Sequence, residues 1–114
     1  MKGDTLIKEL DCEILYRRKE GGTKDLRSFI ASDLMSDVLL VDNEIDILIT
    51  SLSTAQAIRT ADIVSAIGVV IVNGKPVSAD MKAAAKEFDI TLLRTKLSTF
   101  QTCGIIHRLK EHAA

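Results

Sequence analysis

The 114-residue sequence contains no tryptophan, a single proline and two cysteines, and only 4% of its residues are aromatic. It therefore has few of the side chains on which single-stranded bases stack. It also lacks an excess of either charge, because fifteen Lys and Arg residues stand against sixteen Asp and Glu residues. This balance predicts no partner held by charge alone, which excludes nucleic acid and an anionic membrane surface.

The two cysteines, Cys12 and Cys103, lie far apart and belong to no CxxC motif or Cys/His cluster. This favours two small buried side chains, with a disulfide as the alternative. The most apolar run, residues 63–72, is interrupted by Ser65 and Gly68 and is too short to span a membrane. The N-terminal residues have no apolar core of the kind a signal peptide needs. We therefore expect a cytoplasmic protein without a membrane segment.

The length predicts a single domain over residues 1–114 with one ordinary core. Helix caps, hydrophobic spacing and turn residues divide its first half. They predict a helix over 4–10 capped by Asp4, a strand over 12–16, a charged hairpin turn over 17–22 around Gly21-Gly22, an extended run over 26–31, and a helix from Ser32-Asp33 to about residue 41.

The second half alternates nearly continuous apolar runs with helical patterns. It predicts a strand over 45–50, a helix over 54–67 stopped by Gly68, a strand over 69–72, a turn at 73–76, a helix over 79–88 capped by Ser78, a strand over 91–94, and a closing helix from Ser98 or Thr99 to about residue 112. A β-α-β-α-β-α order favours a three-layer α/β/α sandwich with a mostly parallel sheet of about five strands.

A nine-residue pattern occurs twice, at two predicted junctions between a strand and a helix. Residues 48–56 and 93–101 share Leu, Thr, Leu, Ser, Thr and Gln at equivalent positions. Both copies place Ser-Thr where a helix begins, at the carboxyl end of a strand. Free amides, hydroxyls and the positive end of the helix dipole meet there, which is the geometry of an anion site.

These junctions predict a site for a small anion that carries phosphate or carboxylate. The residues proposed to form it are Ser53, Thr54, Arg94, Lys96, Ser98 and Thr99, with Ser32 and Asp33 as a further wall. The alternative is that the hydroxyls only cap their own helices, as most Ser-Thr caps do. The sequence does not identify the ligand.

Other candidate chemistry is weak. The repeat Ser32-Asp33 and Ser36-Asp37 places two carboxylates on one helix face, but no further oxygen ligands for Mg²⁺ or Ca²⁺ accompany them. His107 and His112 miss the spacing of two ligands on one helix face. No nucleophile motif or P-loop is present. The sequence predicts no metal, no cofactor and no enzymatic activity.

Three segments in order resemble the DRTGG domain family. They are residues 32–38 (SDLMSDV), the turn 73–76 (NGKP) and residues 90–99 (ITLLRTKLST). The last of these is also similar to the N-terminal domain of the kinase/phosphorylase that acts on the phosphocarrier protein of sugar transport. The naming motif is degraded, since Thr23-Lys24 stands near its Asp-Arg and Arg27-Ser28-Phe29 near its Thr-Gly-Gly.

The resemblance implies a compact α/β domain that regulates rather than catalyses and that forms oligomers. Together with a mean hydropathy of +0.17, it predicts a homodimer. The preferred function is a non-catalytic, ligand-sensing regulatory domain. The alternative is an interaction module that dimerises or docks on a protein partner and binds no small molecule.

Overall fold

The computed structural model describes residues 1–19 and 24–112. One five-stranded sheet has the order β1-β5-β4-β3-β2, in which β1 runs antiparallel to β5 and the other pairs are parallel. The elements in chain order are α1 (Gly3–Glu9), β1 (Glu13–Tyr16), β2 (Phe29–Ala31), α2 (Met35–Val38), β3 (Ile47–Thr50), α3 (Ala55–Ile63), β4 (Gly68–Ile71), α4 (Ala79–Phe88), β5 (Thr91–Arg94) and α5 (Thr99–His112).

Helices cover both faces of the sheet, because side chains alternate along the apolar strands. Leu48, Val69 and Leu92 point to one face, where they pack with α2, α3 and α4. Ile49, Val70 and Leu93 point to the opposite face, where they pack with α1 and α5. The predicted α/β/α sandwich with a mostly parallel five-stranded sheet is confirmed.

The predicted hairpin after β1 is wrong. β1 pairs with β5, and β2 lies at the opposite edge of the sheet beside β3. The glycine pair Gly21-Gly22, on which the hairpin prediction depended, lies outside the described residues. β1 and β2 therefore form the two opposite edges of the sheet and are not a hairpin.

Two predicted helix starts are also corrected. Helix α1 begins at Gly3 after Lys2, so that Asp4 lies in the first turn and does not cap it. Helix α2 is a single turn after Leu34, and neither Ser32 nor Asp33 caps it. These two side chains form other bonds: the Ser32 hydroxyl binds the Leu34 backbone, and Asp33 binds the loop after β3.

Helix α3 ends at Ile63, earlier than predicted, and Gly68 is the first residue of β4. The helix stops because Ser65 adopts a left-handed backbone with φ of 63°. Helix α4 agrees with its prediction: the Ser78 hydroxyl accepts the Met81 amide at 3.1 Å, and left-handed Asp89 follows Phe88. In the part of the chain that is described, no helix is both long and apolar enough to cross a membrane.

Candidate functional site

The candidate site lies at the carboxyl edge of the parallel strands, where β3, β4 and β5 end. Thr50 and Thr95 close β3 and β5 in the same way. The hydroxyl oxygen of Thr50 accepts the amide of Leu52 at 3.1 Å, and that of Thr95 accepts the amide of Leu97 at 3.2 Å. Both threonine side chains are buried. The repeated sequence therefore encodes a repeated strand exit.

The two helix starts that follow these exits differ. At α5 the Ser98 hydroxyl accepts the Gln101 amide at 3.1 Å, and the Gln101 side-chain oxygen accepts the Ser98 amide at 3.0 Å. This reciprocal capping box satisfies two free amides. At α3 the N-cap residue Thr54 makes no side-chain cap bond. Within the described residues, Ser53 and Thr54 hold no side-chain hydrogen bond, so the first turn of α3 is the more open of the two.

The two helix starts lie on opposite faces of the sheet, since α3 packs on one face and α5 on the other. The turn at residues 73–76, which follows β4, lies at the same edge between β3 and β5. Asn73 and Gly74 both have positive φ, at 61° and 60°, as in the tight turns that Asn-Gly favours. Their amides donate to the carbonyls of Leu97 and Thr95, both at 2.8 Å, which fixes this turn on the loop before α5.

The cationic residues of this edge have different partners. Arg94 is half-buried and donates to Glu13 Oε1 at 2.5 Å and to the Lys75 carbonyl at 3.4 Å. Lys96 is exposed, and no ion pair within the described chain engages it. Lys75, which was not among the predicted site residues, lies near enough to Asp33 to lower the pKa of its carboxyl. Lys75 could have been predicted from the sequence, because it follows an Asn-Gly turn at the end of a predicted strand.

Asp33 joins the loop after β2 to the loop after β3. Its Oδ1 accepts the Ser51 amide at 2.7 Å and the Thr50 hydroxyl at 3.0 Å. The Ser51 bonds hold the pKa of Asp33 below its usual range, and the charge of Lys75 adds to this. Asp33 thus holds the loop after β2 against the end of β3. Nowhere in residues 1–19 or 24–112 do three His, Cys, Asp or Glu side chains form a group that could hold a metal ion.

Three cavities lie away from this edge. One, of about 220 Å³, is at the amino edge of the sheet beneath α1, where Arg17, Arg18 and Lys19 line it. A groove of about 480 Å³ lies between β2 and α5. The third, of about 440 Å³, surrounds Asp46 at the amino end of β3. The cationic residues 17–19 were expected in a turn, so the first cavity was not predicted from the sequence.

The comparisons with known proteins show a fold. No protein-family model and no curated protein matches the sequence. A crystal structure of the CBS and DRTGG domains of the regulatory region of Clostridium perfringens pyrophosphatase, complexed with its activator diadenosine tetraphosphate, is similar with a TM-score of 0.77 and 17% sequence identity. The likeness covers 91% of this chain and 45% of that chain. This chain therefore has a DRTGG-like fold and spans less than half of that regulatory region.

Proposed function

We propose that this chain is a regulatory domain that senses a small phosphate-bearing anion and catalyses no reaction. The similar pyrophosphatase region is regulatory and was crystallised with a nucleotide activator, which supports a sensing role for the same fold here. The observation that carries the proposal is the difference between the paired helix starts. The first turn of α5 is closed by Ser98 and Gln101, whereas the equivalent hydroxyls of α3 remain unbonded in the described chain.

We assign the direct contacts with the anion to Ser53, Thr54 and Lys96, we add Lys75 to them, and we leave out Thr99, which lies at the closed start of α5 on the other face of the sheet. Hydroxyls and free amides of a helix start complement phosphate oxygens, and the two lysines supply opposite charge. The other predicted residues hold the edge in shape through the bonds described above. They are Arg94 with Glu13, Ser98 with Gln101, Ser32 with Leu34, and Asp33 with Ser51.

The chemistry of the thiols and of one imidazole supports a non-catalytic role. Burial, with a smaller contribution from Asp11, raises the pKa of Cys12 to about 11, and burial also raises the pKa of Cys103. Both are therefore protonated and poorly nucleophilic near neutral pH. His107 is exposed on α5, where it lies one turn from Cys103 and pairs with Glu111 at 3.1 Å, but the protonated Cys103 thiol is a poor nucleophile.

The test is thermal unfolding of the pure protein with inorganic phosphate, pyrophosphate, acetyl phosphate, AMP, ATP and diadenosine tetraphosphate. A ligand at 100 times its Kd adds about 2.7 kcal/mol, which raises Tm by about 10 °C at this chain length. We expect such a shift with at least one compound and its loss in Lys96→Gln. Lys82→Gln, an exposed lysine on α4, is the matched control. A panel without any shift, or a shift that Lys96→Gln leaves intact, contradicts the proposal.

A second candidate function, a homodimer or docking module, is favoured by the open edge of the sheet at β2. Nothing in the described chain pairs with the outer side of this strand, and an apolar groove separates it from α5. Phe100 borders that groove with 87% of its surface exposed. A second copy that added its own edge would cover both features.

Light scattering at tens of micromolar tests this second candidate. A dimer has about twice the chain mass of 12.5 kDa, and Phe100→Ser is expected to convert it to monomer. Leu40→Ser, which replaces another exposed side chain away from the groove, is the control. A wild-type monomer at this concentration overturns the candidate.

A further inference from the structure

The cavity at the amino edge of the sheet is separate from the proposed anion site at the carboxyl edge. It holds about 220 Å³ and lies beneath α1, where the residues after β1 meet the starts of β3, β4 and β5. Pockets for drug-sized ligands measure about 300 to 1,000 Å³. At about 220 Å³ the cavity lies below this range, so it fits only a molecule smaller than a drug.

Positive charge dominates its walls. Among the residues that the structure describes, five cations and one carboxylate, Asp4, line it; the cations are Lys2, Arg17, Arg18, Lys19 and Lys24. Two of the cations are already paired, Arg17 with Asp4 at 3.4 Å and Lys24 with Asp46 at 2.9 Å. The other three have no ion pair with any residue that the structure describes. This local excess contrasts with the chain's net charge of −1.

Arg18 carries the clearest sign of a missing partner. Its backbone amide donates to the Thr91 hydroxyl at 3.0 Å, which fixes the residue against the start of β5. Its side-chain Nε is shielded from solvent and has no hydrogen-bond partner among the residues that the structure describes. A buried donor of a charged group is costly when it is unpaired, and such groups in folded proteins nearly always have a partner. An anion in the cavity would supply one.

The floor of the cavity is apolar. Leu6, Leu26, Ile47 and Leu93 line it, and each is at least 96% buried. These four expose almost no surface, but Ile7 and Ile67 also line the cavity and are only partly buried, and an inorganic ion would leave their apolar surface uncovered. A ligand with a charged head and a small apolar body would satisfy both the walls and the floor.

We propose that this cavity binds a small phosphomonoester with an apolar body, with its phosphate among Lys2, Arg18 and Lys19. A phosphate carries close to two negative charges near neutral pH and three strong acceptor oxygens. It therefore matches several unpaired cations better than a carboxylate does. The guanidinium of Arg18 donates to it, and the two lysines act as point charges.

Calorimetric titration with phenyl phosphate tests the proposal. Inorganic phosphate supplies the phosphate group without the apolar ring, and phenol supplies the ring without the charge. We expect saturable binding of phenyl phosphate at low ionic strength, at least tenfold weaker binding of either fragment, and a tenfold or greater loss in Arg18→Gln. Lys19→Gln gives a second variant at an exposed position in case Arg18→Gln does not fold. Arg108→Gln on α5 is the matched control.

Three results overturn the proposal. They are no saturable binding of phenyl phosphate up to about 10 mM, equal affinity for inorganic phosphate, and binding that neither Arg18→Gln nor Lys19→Gln weakens. Lys96→Gln separates this site from the carboxyl edge, because it is expected to leave phenyl phosphate binding unchanged. If Lys96→Gln abolishes that binding, the ligand belongs to the carboxyl edge and the amino-edge site is wrong.

Discussion

Thr50 and Thr95 end two strands on either side of β4, and each hydroxyl both accepts and donates a hydrogen bond. Each accepts the amide two residues further along the chain. Their donor partners differ, since Thr50 donates to the Asp33 carboxylate at 3.0 Å and Thr95 to the Leu10 carbonyl at 2.7 Å. The same residue type thus connects β3 to the loop after β2 and β5 to the end of α1.

Replacement of Thr95 by valine tests this connection. Thr95→Val keeps the shape of the buried side chain but leaves the Leu10 carbonyl and the Leu97 amide without their partner. We expect the free energy of unfolding to fall by about 2 kcal/mol and Tm to fall by about 8 °C, measured by circular dichroism. An unchanged Tm would show that the two bonds contribute nothing to stability.

Thr102→Val is the matched substitution with the opposite expected sign. Thr102 is fully buried on α5, and its hydroxyl has no hydrogen-bond partner in residues 1–19 and 24–112. Since valine has the same shape without the unsatisfied polar group, we expect the free energy of unfolding to rise by about 1 kcal/mol. Urea unfolding of the two threonine variants side by side measures the contrast. A loss of stability comparable to that of Thr95→Val would contradict this account.

The carboxyl of Asp46 makes the free energy of unfolding depend on pH in the acid range. Burial alone would raise its pKa, but the amides of Arg27 and Ser28, at 2.7 and 3.1 Å, and the ammonium of Lys24 outweigh burial and lower it. A carboxyl whose pKa is lowered by folding stabilises the fold above its unfolded pKa, near 4, and loses that contribution as the pH falls through the folded value.

We expect Asp46→Asn to lower the free energy of unfolding by about 2 kcal/mol at pH 7. The difference from the wild type is expected to shrink steadily below about pH 4. Urea unfolding at a series of pH values measures both. A difference that stays constant down to the acid transition would show that the ionised form of Asp46 is not what stabilises the fold.

Gly68 packs closely against a side chain of the neighbouring strand. It is buried at the start of β4, and a Cβ there would lie 2.8 Å from Cδ1 of Ile47 on the neighbouring strand. We expect Gly68→Ala to cost about 2 kcal/mol through this overlap. Ile47→Val removes the obstructing carbon. The double variant should therefore lose less stability than the two single variants lose when their losses are added. Additive effects in chemical unfolding would exclude the overlap as the cause.

The order of the elements could be predicted from the sequence because the local signals agree with one another. Continuous apolar runs at β3 and β4 indicate strands covered on both faces, and Ser78 marks the start of α4. The position of β1 could not be predicted. The charged residues after it suggest a hairpin, whereas pairing with β5 is a long-range contact that leaves no local signal.

The edge of the sheet that carries the candidate site could be predicted from the sequence. The hydrogen bonds of its side chains could not. Parallel strands bring their carboxyl ends together whatever the side chains do, so Thr54 and Lys96 were placed at the same edge of the sheet. Which hydroxyls remain available depends on partners that are distant in sequence, as when the Thr50 hydroxyl donates to Asp33. The cavity at the amino edge depends on α1 covering strands far along the chain, which local patterns do not encode.

The most direct test of the sensing proposal is an amide-resolved nuclear magnetic resonance titration with pyrophosphate and, separately, with diadenosine tetraphosphate. The account predicts saturable shifts, with at least one of these probes, that are largest at residues 53–56, 75 and 96 and absent in Lys96→Gln. Shifts confined to residues 17–19 and 24–26 would assign anion binding to the amino edge and contradict the carboxyl-edge site. No saturable shift with either probe would contradict the sensing function itself.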